Sequence, residues 1–230
     1  MGTLASNRKG YIQGPSSSSY SDALVATGNG TAYDAQSGNV TTAIQYFKST
    51  GRGGGTYRFT RTFIHFDTSG ISGGSNFQLV VTSVAGDSSN GNYNVTATNH
   101  NAGSGNGGEL GNDDFDNVIK GTVWSSAVAW PSSGQVTISL NAAAATEIIG
   151  ENDFNIALLL SSDQAEEEED PLESSGNISN GIAFGSAINL TYTDPSSGYA
   201  NTVIDVAAAN IGKVVEVETG NIAKINDSIA

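Results

Sequence analysis

Two acidic clusters contain the residues of this sequence that are best suited to binding a metal ion. In the first, Asn112, Asp114 and Asp116 alternate as the first three ligands of an EF-hand loop do. The sixth position, however, is Asn117 where an EF-hand has glycine, and the twelfth is Val123 where it has glutamate. An EF-hand is therefore rejected, and a looser Ca²⁺ loop or a simple polar turn remains. The candidate ligands of that looser site are Asp113, Asp114 and Asp116.

The second acidic cluster spans residues 163–173 and contains seven carboxylates in eleven positions. Carboxylates at this density repel one another, so the segment is predicted to be a solvated loop unless a cation gathers it. If that cation is Ca²⁺, the candidate ligands are Asp163, Glu166 and Asp170. We expect no other cofactor.

The two histidines do not indicate a catalytic site. His65 lies inside the strongest predicted strand, where a histidine is more often packed than catalytic, and His100 has no nucleophile nearby in sequence. A glycosidase needs two carboxylates facing each other across a groove, and the sequence cannot place any acidic pair at that separation. We therefore expect that the protein is not an enzyme.

Composition and charge narrow the classes of partner. The chain has 230 residues, 29 of them glycine, and a net charge of −14. Nucleic acid is bound first through cationic side chains, so we expect no nucleic-acid partner. The chain has no cysteine, which removes disulfides and thiol chemistry. Its longest apolar run, residues 154–160, is too short to span a bilayer, so we expect no membrane partner.

The elements that must position these residues are predicted to be β-strands. Residues 57–69 alternate aromatic and β-branched side chains between glycine-rich segments and are predicted to form a central strand. Asn141 is predicted to cap one short helix that Gly150 ends. Further strands are predicted at residues 23–27, 43–49, 76–84, 93–98, 122–130, 135–140, 154–161, 181–184 and 187–193, with a turn at 32–39 and a loop at 99–111.

These elements predict an all-β fold, an antiparallel β-sandwich with one short helix. Residues 1–22 are rich in Ser, Gly and Asn and are predicted to form an N-terminal arm. Residues 23–195 are predicted to form the sandwich domain, and residues 196–230 a C-terminal docking tail. We expect neighbouring subunits to hold both termini in place.

The order of segments between residues 55 and 193 resembles the jelly-roll modules of the DNRLRE type. The segments are RTFIHFDTSGIS at 61–72, an FQLVV strand, DDFDN before a tryptophan, TISLN with its short helix, FNIALLLSSD, and INLTYT at 188–193. Modules of this type occur as carbohydrate-binding domains of secreted bacterial proteins and as relatives in phage virion proteins. The resemblance implies a jelly-roll sandwich. The sequence departs from the pattern before residue 50, lacks a secretion signal and has an acidic insert at 163–173.

The C-terminal tail contains an eleven-residue repeat. TVIDV at 202–206 aligns with KVVEV at 213–217 and KINDS at 224–228. Within it, an NIxKV/I pattern occurs at 210–214 and at 221–225. Such repeats resemble those that close many virion structural proteins of marine tailed phages, cyanophages among them.

The conformation of the repeat is left open by its sequence. Eleven residues make three helical turns, which allows one apolar stripe along a helix. The β-branched residues and Gly220 allow instead a hairpin that turns at TGN. Either form presents a small apolar surface that needs a partner. The residues predicted to make assembly contacts are Asn210, Ile211, Lys213, Val214, Asn221, Ile222, Lys224 and Ile225.

Two hypotheses of function follow. The first is a phage virion structural protein, a capsid decoration, knob or fibre component, whose partners are other virion proteins and copies of itself. It agrees with an N-terminus that lacks an apolar signal segment, so we expect synthesis in a host cytoplasm and a place in the virion. The second is a carbohydrate-binding module for a host-surface glycan, assisted by Ca²⁺. Its candidate stacking platforms are Trp124 and Trp130.

Overall fold

The computed structural model describes residues 1–27, 30–35, 42–51, 54–86, 94–103, 109–131, 133–167 and 181–195, and the backbone of residues 213–214 and 217–218. The strands in these residues are β1 (Gly2–Ala5), β2 (Arg8–Gln13), β3 (Thr31–Ala35), β4 (Thr42–Gly51), β5 (Gly54–Asp67), β6 (Ser75–Gly86), β7 (Asn94–His100), β8 (Val118–Val123), β9 (Val128–Ala129), β10 (Gly134–Ser139), β11 (Asp153–Leu160), β12 (Gly181–Thr193), β13 (Lys213–Val214) and β14 (Val217–Glu218). The helices are α1 (Tyr20–Leu24), α2 (Ala142–Gly150), α3 (Ser161–Ala165) and a 3₁₀ helix at Asn112–Asp116.

β5 is the central strand, as the sequence predicts, and it has partners along both edges. One edge pairs with β2 over residues 60–65. The other edge pairs with β4 over residues 54–60 and then with β11 over residues 62–67. The partner along this second edge therefore changes beside Arg61, and the sheet divides there.

The division at β5 produces two layers. From β4, one layer continues through β12 and β6 to β10, and β1 also pairs with β12. From β11, the other layer continues to β7, which pairs with β8 and β9. All of these pairings are antiparallel. The fold is an antiparallel β-sandwich, which confirms the predicted class.

The layers enclose a hydrophobic core that contains one face of β5. Ile64 and Phe66 are fully buried in it. The ring of Phe66 lies 6.4 Å from that of Phe154 on β11, and Trp124 stacks on Phe154 with ring centroids 4.6 Å apart. Burying one such aromatic side chain stabilises the fold by about 1.5–3 kcal/mol.

The opposite face of β5 is buried as well. Phe59, Arg61, Phe63 and His65 alternate with the core-facing residues and are all buried. Leu24 of α1, Phe115 of the 3₁₀ helix and Asp163 of α3 contact this face through Arg61. Short helices thus form an outer cover, and Arg61 lies beneath it.

The predicted helix after Asn141 is confirmed, and two local predictions are wrong. The Asn141 side chain accepts a hydrogen bond from the Ala144 amide at 3.1 Å and begins α2. The strand predicted at 23–27 is wrong, because Ser19 caps α1 by accepting from the Asp22 amide at 3.1 Å. The turn predicted at 32–39 is wrong in its first half, where β3 pairs with β2. The prediction of one short helix therefore missed α1 and α3.

The predicted N-terminal arm is also wrong, because residues 1–22 belong to the sandwich. β1 pairs with β12, and β2 pairs with β5 and β3. Between the two strands, the Ser6 amide donates to the Ile188 carbonyl at 2.9 Å and the Asn7 amide donates to the His65 carbonyl at 3.2 Å. Main-chain pairing needs no apolar side chains, so a Ser-, Gly- and Asn-rich sequence can still form strands.

The described part of the C-terminal tail is in strand pairing. β13 and β14 pair antiparallel, with Lys213 opposite Glu218 and Val214 opposite Val217. This pairing precedes residues 219–221, where the sequence allows a hairpin turn, and those residues lie outside the described ones, so the predicted turn at TGN stays a prediction. The other predicted assembly residues lie outside the described residues: Asn210, Ile211, Asn221, Ile222, Lys224 and Ile225. In the parts of the chain that the structure describes, no helix has the length and apolar character needed to cross a membrane.

Candidate functional site

Arg61 is the most enclosed charged side chain on the outer face of β5, at 2% exposure. Its Nε and Nη2 atoms donate to the two carboxylate oxygens of Asp163 at 2.8 and 2.7 Å. Nη1 donates to the Phe115 carbonyl at 2.8 Å, and Nη2 also donates to the Leu24 carbonyl at 3.3 Å. The guanidinium carbon lies 3.9 Å from the centroid of the Phe115 ring. The bidentate geometry is the strong form of this ion pair, and it ties three helices to one strand.

Lys120 adds a second cation to Asp163. Its Nζ lies 3.1 Å from the Asp163 carboxylate and 3.3 Å from that of Glu166, and it donates to the Leu24 carbonyl at 3.2 Å. Burial by itself would raise the pKa of Asp163, but the charge and hydrogen bonds of Arg61, followed by those of Lys120, lower it below the ordinary value. Asp163 is therefore ionised at neutral pH and neutralised by two partners.

The position of Asp163 corrects the prediction of a solvated loop at 163–173. α3 begins directly after β11, so its first turn is held against the sheet and directs Asp163 inward, where the carboxylate is 1% exposed. Glu166 follows the helix, is 56% exposed and pairs with Lys120. The prediction was wrong at Asp163 because two cations distant in sequence outweigh the local repulsion among carboxylates. Asp170 lies outside the described residues.

A cavity of about 250 Å³ opens beside this ion cluster. Asp116 and Glu166 line it. They are predicted calcium ligands from the first and the second acidic cluster, respectively. Arg61 and Lys120 line the same cavity, so its walls carry charges of both signs. Residues 24–27 and Val118 complete its lining.

His65 forms a second polar centre at the other end of the same face of β5. Its Nδ1 lies 2.6 Å from Oδ1 of Asn7, and its Nε2 lies 2.9 Å from Oδ1 of Asp153. Both neighbours are oxygen acceptors in this orientation, so a ring protonated on both nitrogens donates to each of them. The Asp153 side chain is 22% exposed, so this pair is much more open to water than the Arg61 pair.

A polar groove of about 310 Å³ adjoins the His65 pair. Glu147 lies in α2, and Glu151 and Asn152 lie between α2 and β11. Asp153 and Asn155 come from the start of β11. All five side chains carry amide or carboxyl groups. They can donate to or accept from the hydroxyl groups of a polar ligand, and they provide no aromatic surface for it.

His100 lies between the two centres and is fully buried. Its ring meets that of Phe63 edge to face at 5.2 Å. Nε2 donates to the Ile64 carbonyl at 3.2 Å, and Nδ1 accepts from the Ala102 amide at 3.2 Å, which fixes the neutral tautomer. Burial lowers the pKa of His100 from 6.5 to about 4, so the ring is neutral near physiological pH.

The prediction that Trp124 and Trp130 are stacking platforms for sugars is wrong. The two residues are 2% and 7% exposed, and both belong to the hydrophobic core. Trp124 stacks on Phe154 instead of facing solvent. The two residues follow β8 and β9, and both indoles are directed inward.

The predicted calcium ligands of the first acidic cluster are not gathered around one point. Asp114 is buried and accepts from the Gly103 and Gly111 amides and from Nδ2 of Asn117, so it organises the loop before the 3₁₀ helix. Asp113 and Asp116 are exposed. Among the described residues, no group of three His, Cys, Asp or Glu side chains has the arrangement of a metal site. The calcium site stays a prediction.

Sequence reasoning missed Arg61, Lys120 and the Asn7–His65–Asp153 group as features of the site. One signal was present, because an arginine in the middle of a predicted buried strand requires a partner. The sequence could not identify that partner, because Asp163 is 102 positions away. No family model matches the chain, and no curated protein matches it.

Proposed function

We propose that the protein is a non-enzymatic structural component of a phage virion, a capsid decoration, knob or fibre subunit that assembles through its C-terminal residues. Its partners are other virion proteins and copies of itself. The observation that carries the proposal is the eleven-residue repeat of the tail.

The fold supports this proposal in a second way. Both faces of β5 are buried, and residues 2–13 are bonded into the sheets. The sandwich is therefore a rigid domain. Because the N-terminal residues pair within this domain, we assign the assembly contacts to the C-terminal segment. Resistance to deformation is what a projecting or tiling subunit needs.

The test is the mass of the purified full-length chain by light scattering, compared with a variant that lacks residues 199–230. We expect a defined oligomer for the full chain and a folded monomer for the truncated one. A full-length chain that stays monomeric at high concentration would overturn the proposal. Equal masses for two oligomeric forms would overturn the role of the C-terminal residues.

The second candidate, a carbohydrate-binding module, is supported by the polar groove beside His65 and not by the tryptophans. Hydroxyl-rich ligands suit a groove lined by Asn152, Asp153 and Asn155. The test is a polysaccharide screen with the native chain and with Asn155→Ala, and Trp124→Phe serves as a control outside the groove. Binding that is lost only in Asn155→Ala supports this candidate. Its calcium-assisted form also requires a higher melting temperature with millimolar Ca²⁺.

A further inference from the structure

β10 lies at an edge of the sandwich in the part of the chain that the structure describes. Within the described part of the chain, it pairs with β6 alone, in unbroken register from Gly134 opposite Ser83 to Ser139 opposite Gln78. The strand contains no charged residue, no proline and no bulge. Natural edge strands are usually blunted by one of these features, because an open edge pairs with other chains. β8, another strand with a single partner, has Lys120 and a register shift against β7.

The pairing pattern identifies which main-chain groups of β10 point outward. The Leu140 amide donates to the Phe77 carbonyl at 2.9 Å, so Leu140 and Phe77 form a hydrogen-bonded pair. Such pairs alternate along an antiparallel ladder. Gln135, Thr137 and Ser139 therefore direct their N–H and C=O groups away from β6. Their side chains are exposed, whereas Val136 and Ile138 between them are buried. The edge offers main-chain hydrogen bonds at alternate residues.

The C-terminal segment leaves the sandwich close to this edge. β12 ends at Thr193, which pairs with Ser75 of β6, and β6 is the strand that pairs with β10. Only β6 separates the end of β12 from β10, a distance of about 10 Å at the usual strand spacing. The first repeat, TVIDV at 202–206, begins seven residues after Pro195. Seven residues are long enough to span that distance, so the first repeat can reach a strand edge that has no second partner among the described residues.

The first repeat has the pattern of a strand for such an edge. Thr202, Ile204 and Val206 fall on one side of an extended chain, and Val203 and Asp205 fall on the other. The β-branched residues favour strand conformation. In the second repeat, β13 and β14 pair with each other, so part of its main chain is already bonded. The first repeat is therefore the segment best suited to pair with β10 as an added strand.

We propose that β10 of one copy receives residues 202–206 of a neighbouring copy as an added β-strand. This inference rests on the proposed assembly through the C-terminal residues and names the surface that those residues bind. The contact is heterologous, because edge and donor are different parts of the chain. Affinity comes from main-chain bonds to Gln135, Thr137 and Ser139.

The test uses proline, which removes a single N–H. Thr137→Pro removes an outward N–H that β6 does not use, so the edge is blocked while the ladder to β6 remains. Ser139→Pro does the same at a second site, in case one variant fails to fold. The double substitution Val203→Pro with Ile204→Pro blocks the donor, and Ser196→Pro with Ser197→Pro is its matched control in the preceding segment. Light scattering then gives the mass of each full-length variant.

We expect the edge-blocked and donor-blocked chains to be monomers and the control to assemble like the native chain. Mixing the two blocked chains should restore one 1:1 heterodimer, because each retains the element that the other lacks. In the native assembly, the amides of Gln135, Thr137 and Ser139 should exchange hydrogen slowly.

Four results would overturn the proposal. Assembly of both edge-blocked chains at native mass would show that β10 is not the acceptor and would leave the proposed function standing. Loss of assembly in Thr137→Pro but not in the donor-blocked chain would indicate β10 pairing with β10. A monomeric native chain with protected Thr137 would indicate that the edge binds its own tail. A monomeric native chain with rapid exchange at Thr137 would overturn the proposed function as well.

Discussion

Two pairs of side chains, Arg61–Asp163 and His65–Asp153, lie four residues apart along the same face of β5, and they differ in their access to water. The Arg61 and Asp163 side chains are 2% and 1% exposed, whereas those of His65 and Asp153 are 7% and 22% exposed. Arg61 also bonds to two main-chain carbonyls and lies on the Phe115 ring. Asp153, the partner of His65, lines an open groove. The Arg61 pair is almost fully enclosed, whereas the carboxylate of the His65 pair is more open to water.

The difference follows from what covers each end of the strand. α1, the 3₁₀ helix and α3 meet over Arg61, and each supplies a group that bonds to it. At the His65 end, the neighbouring groups are Asn7, which lies between β1 and β2, and Asp153 at the start of β11. Residues at the ends of strands are close to solvent, so this pair stays partly hydrated. Burial thus decides which pair is essential to stability.

The largest expected effect is that of Asp163→Asn. The substitution leaves Arg61 buried without a counter-charge and turns an amide N–H₂ toward its donors. We expect the free energy of unfolding to fall by about 3–5 kcal/mol, as when a buried pair loses one member. Urea unfolding followed by circular dichroism measures it. A loss below 1 kcal/mol would contradict the enclosed character of this centre.

The next effect is a dependence of stability on pH that arises at His100. Its pKa is lowered from 6.5 to about 4, so between these values the unfolded chain binds a proton that the folded chain does not. Stability is therefore full above pH 6.5 and falls as the pH drops toward 4, by roughly 3 kcal/mol in total. Urea unfolding from pH 7 to 4.5 measures the slope.

The matched variant for this pH effect is His100→Gln. It is expected to be less stable at pH 7 but to lose less stability toward pH 4.5, because the buried titrating group is gone. His65 and Asp114 act on the charge of His100 and remain in both chains. Equal slopes in the two chains would contradict the assignment. Asp163 acts in a lower window, because its pKa is lowered and its contribution is lost only as the pH falls below the ordinary carboxyl range.

A third prediction concerns Gly14, the residue after β2, which packs beside the Arg61 cluster. Gly14 lies against the Phe115 ring, where an added Cβ would overlap the ring carbons. Gly14→Ala must displace the ring beneath the guanidinium, and we expect a loss of about 1–3 kcal/mol. Gly121→Ala is the control, since nothing lies within 4 Å of the Cβ it would add. Equal melting temperatures for the two variants would show that the ring moves freely.

The sequence was sufficient for the parts of the fold that depend on local pattern. Alternation over residues 57–69 identified β5, and the Asn141 and Gly150 signals identified α2. These signals work because side-chain periodicity and capping act over a few residues. The polar N-terminal strands gave no such signal, and β1 and β2 are strands because β12 and β5 offer edges to them.

The site was less predictable for the same reason. Arg61 meets groups from residues 24, 115 and 163, and only the topology of the sandwich brings these together. The prediction for Trp124 and Trp130 was wrong because the direction of each indole depends on how β8 and β9 pair with β7. That register could not be predicted from the sequence. The prediction for Asp163 was based on its acidic neighbours in the sequence. In the structure its partners are Arg61 and Lys120, which are distant in sequence.

The smallest expected effect is that of Asp153→Asn. It makes the same chemical change as Asp163→Asn on the same face of β5, but at a pair with a carboxyl side chain that is 22% exposed. Water can solvate His65 in place of the carboxylate, so we expect a loss of only about 0.2–1 kcal/mol. The measurement is the same urea unfolding in low and high salt, where the almost fully enclosed Arg61 pair should be unaffected by the added salt. A loss as large as that of Asp163→Asn would mean that the His65 pair is shielded from water as fully as the Arg61 pair. The groove beside it would then not be accessible as a binding surface.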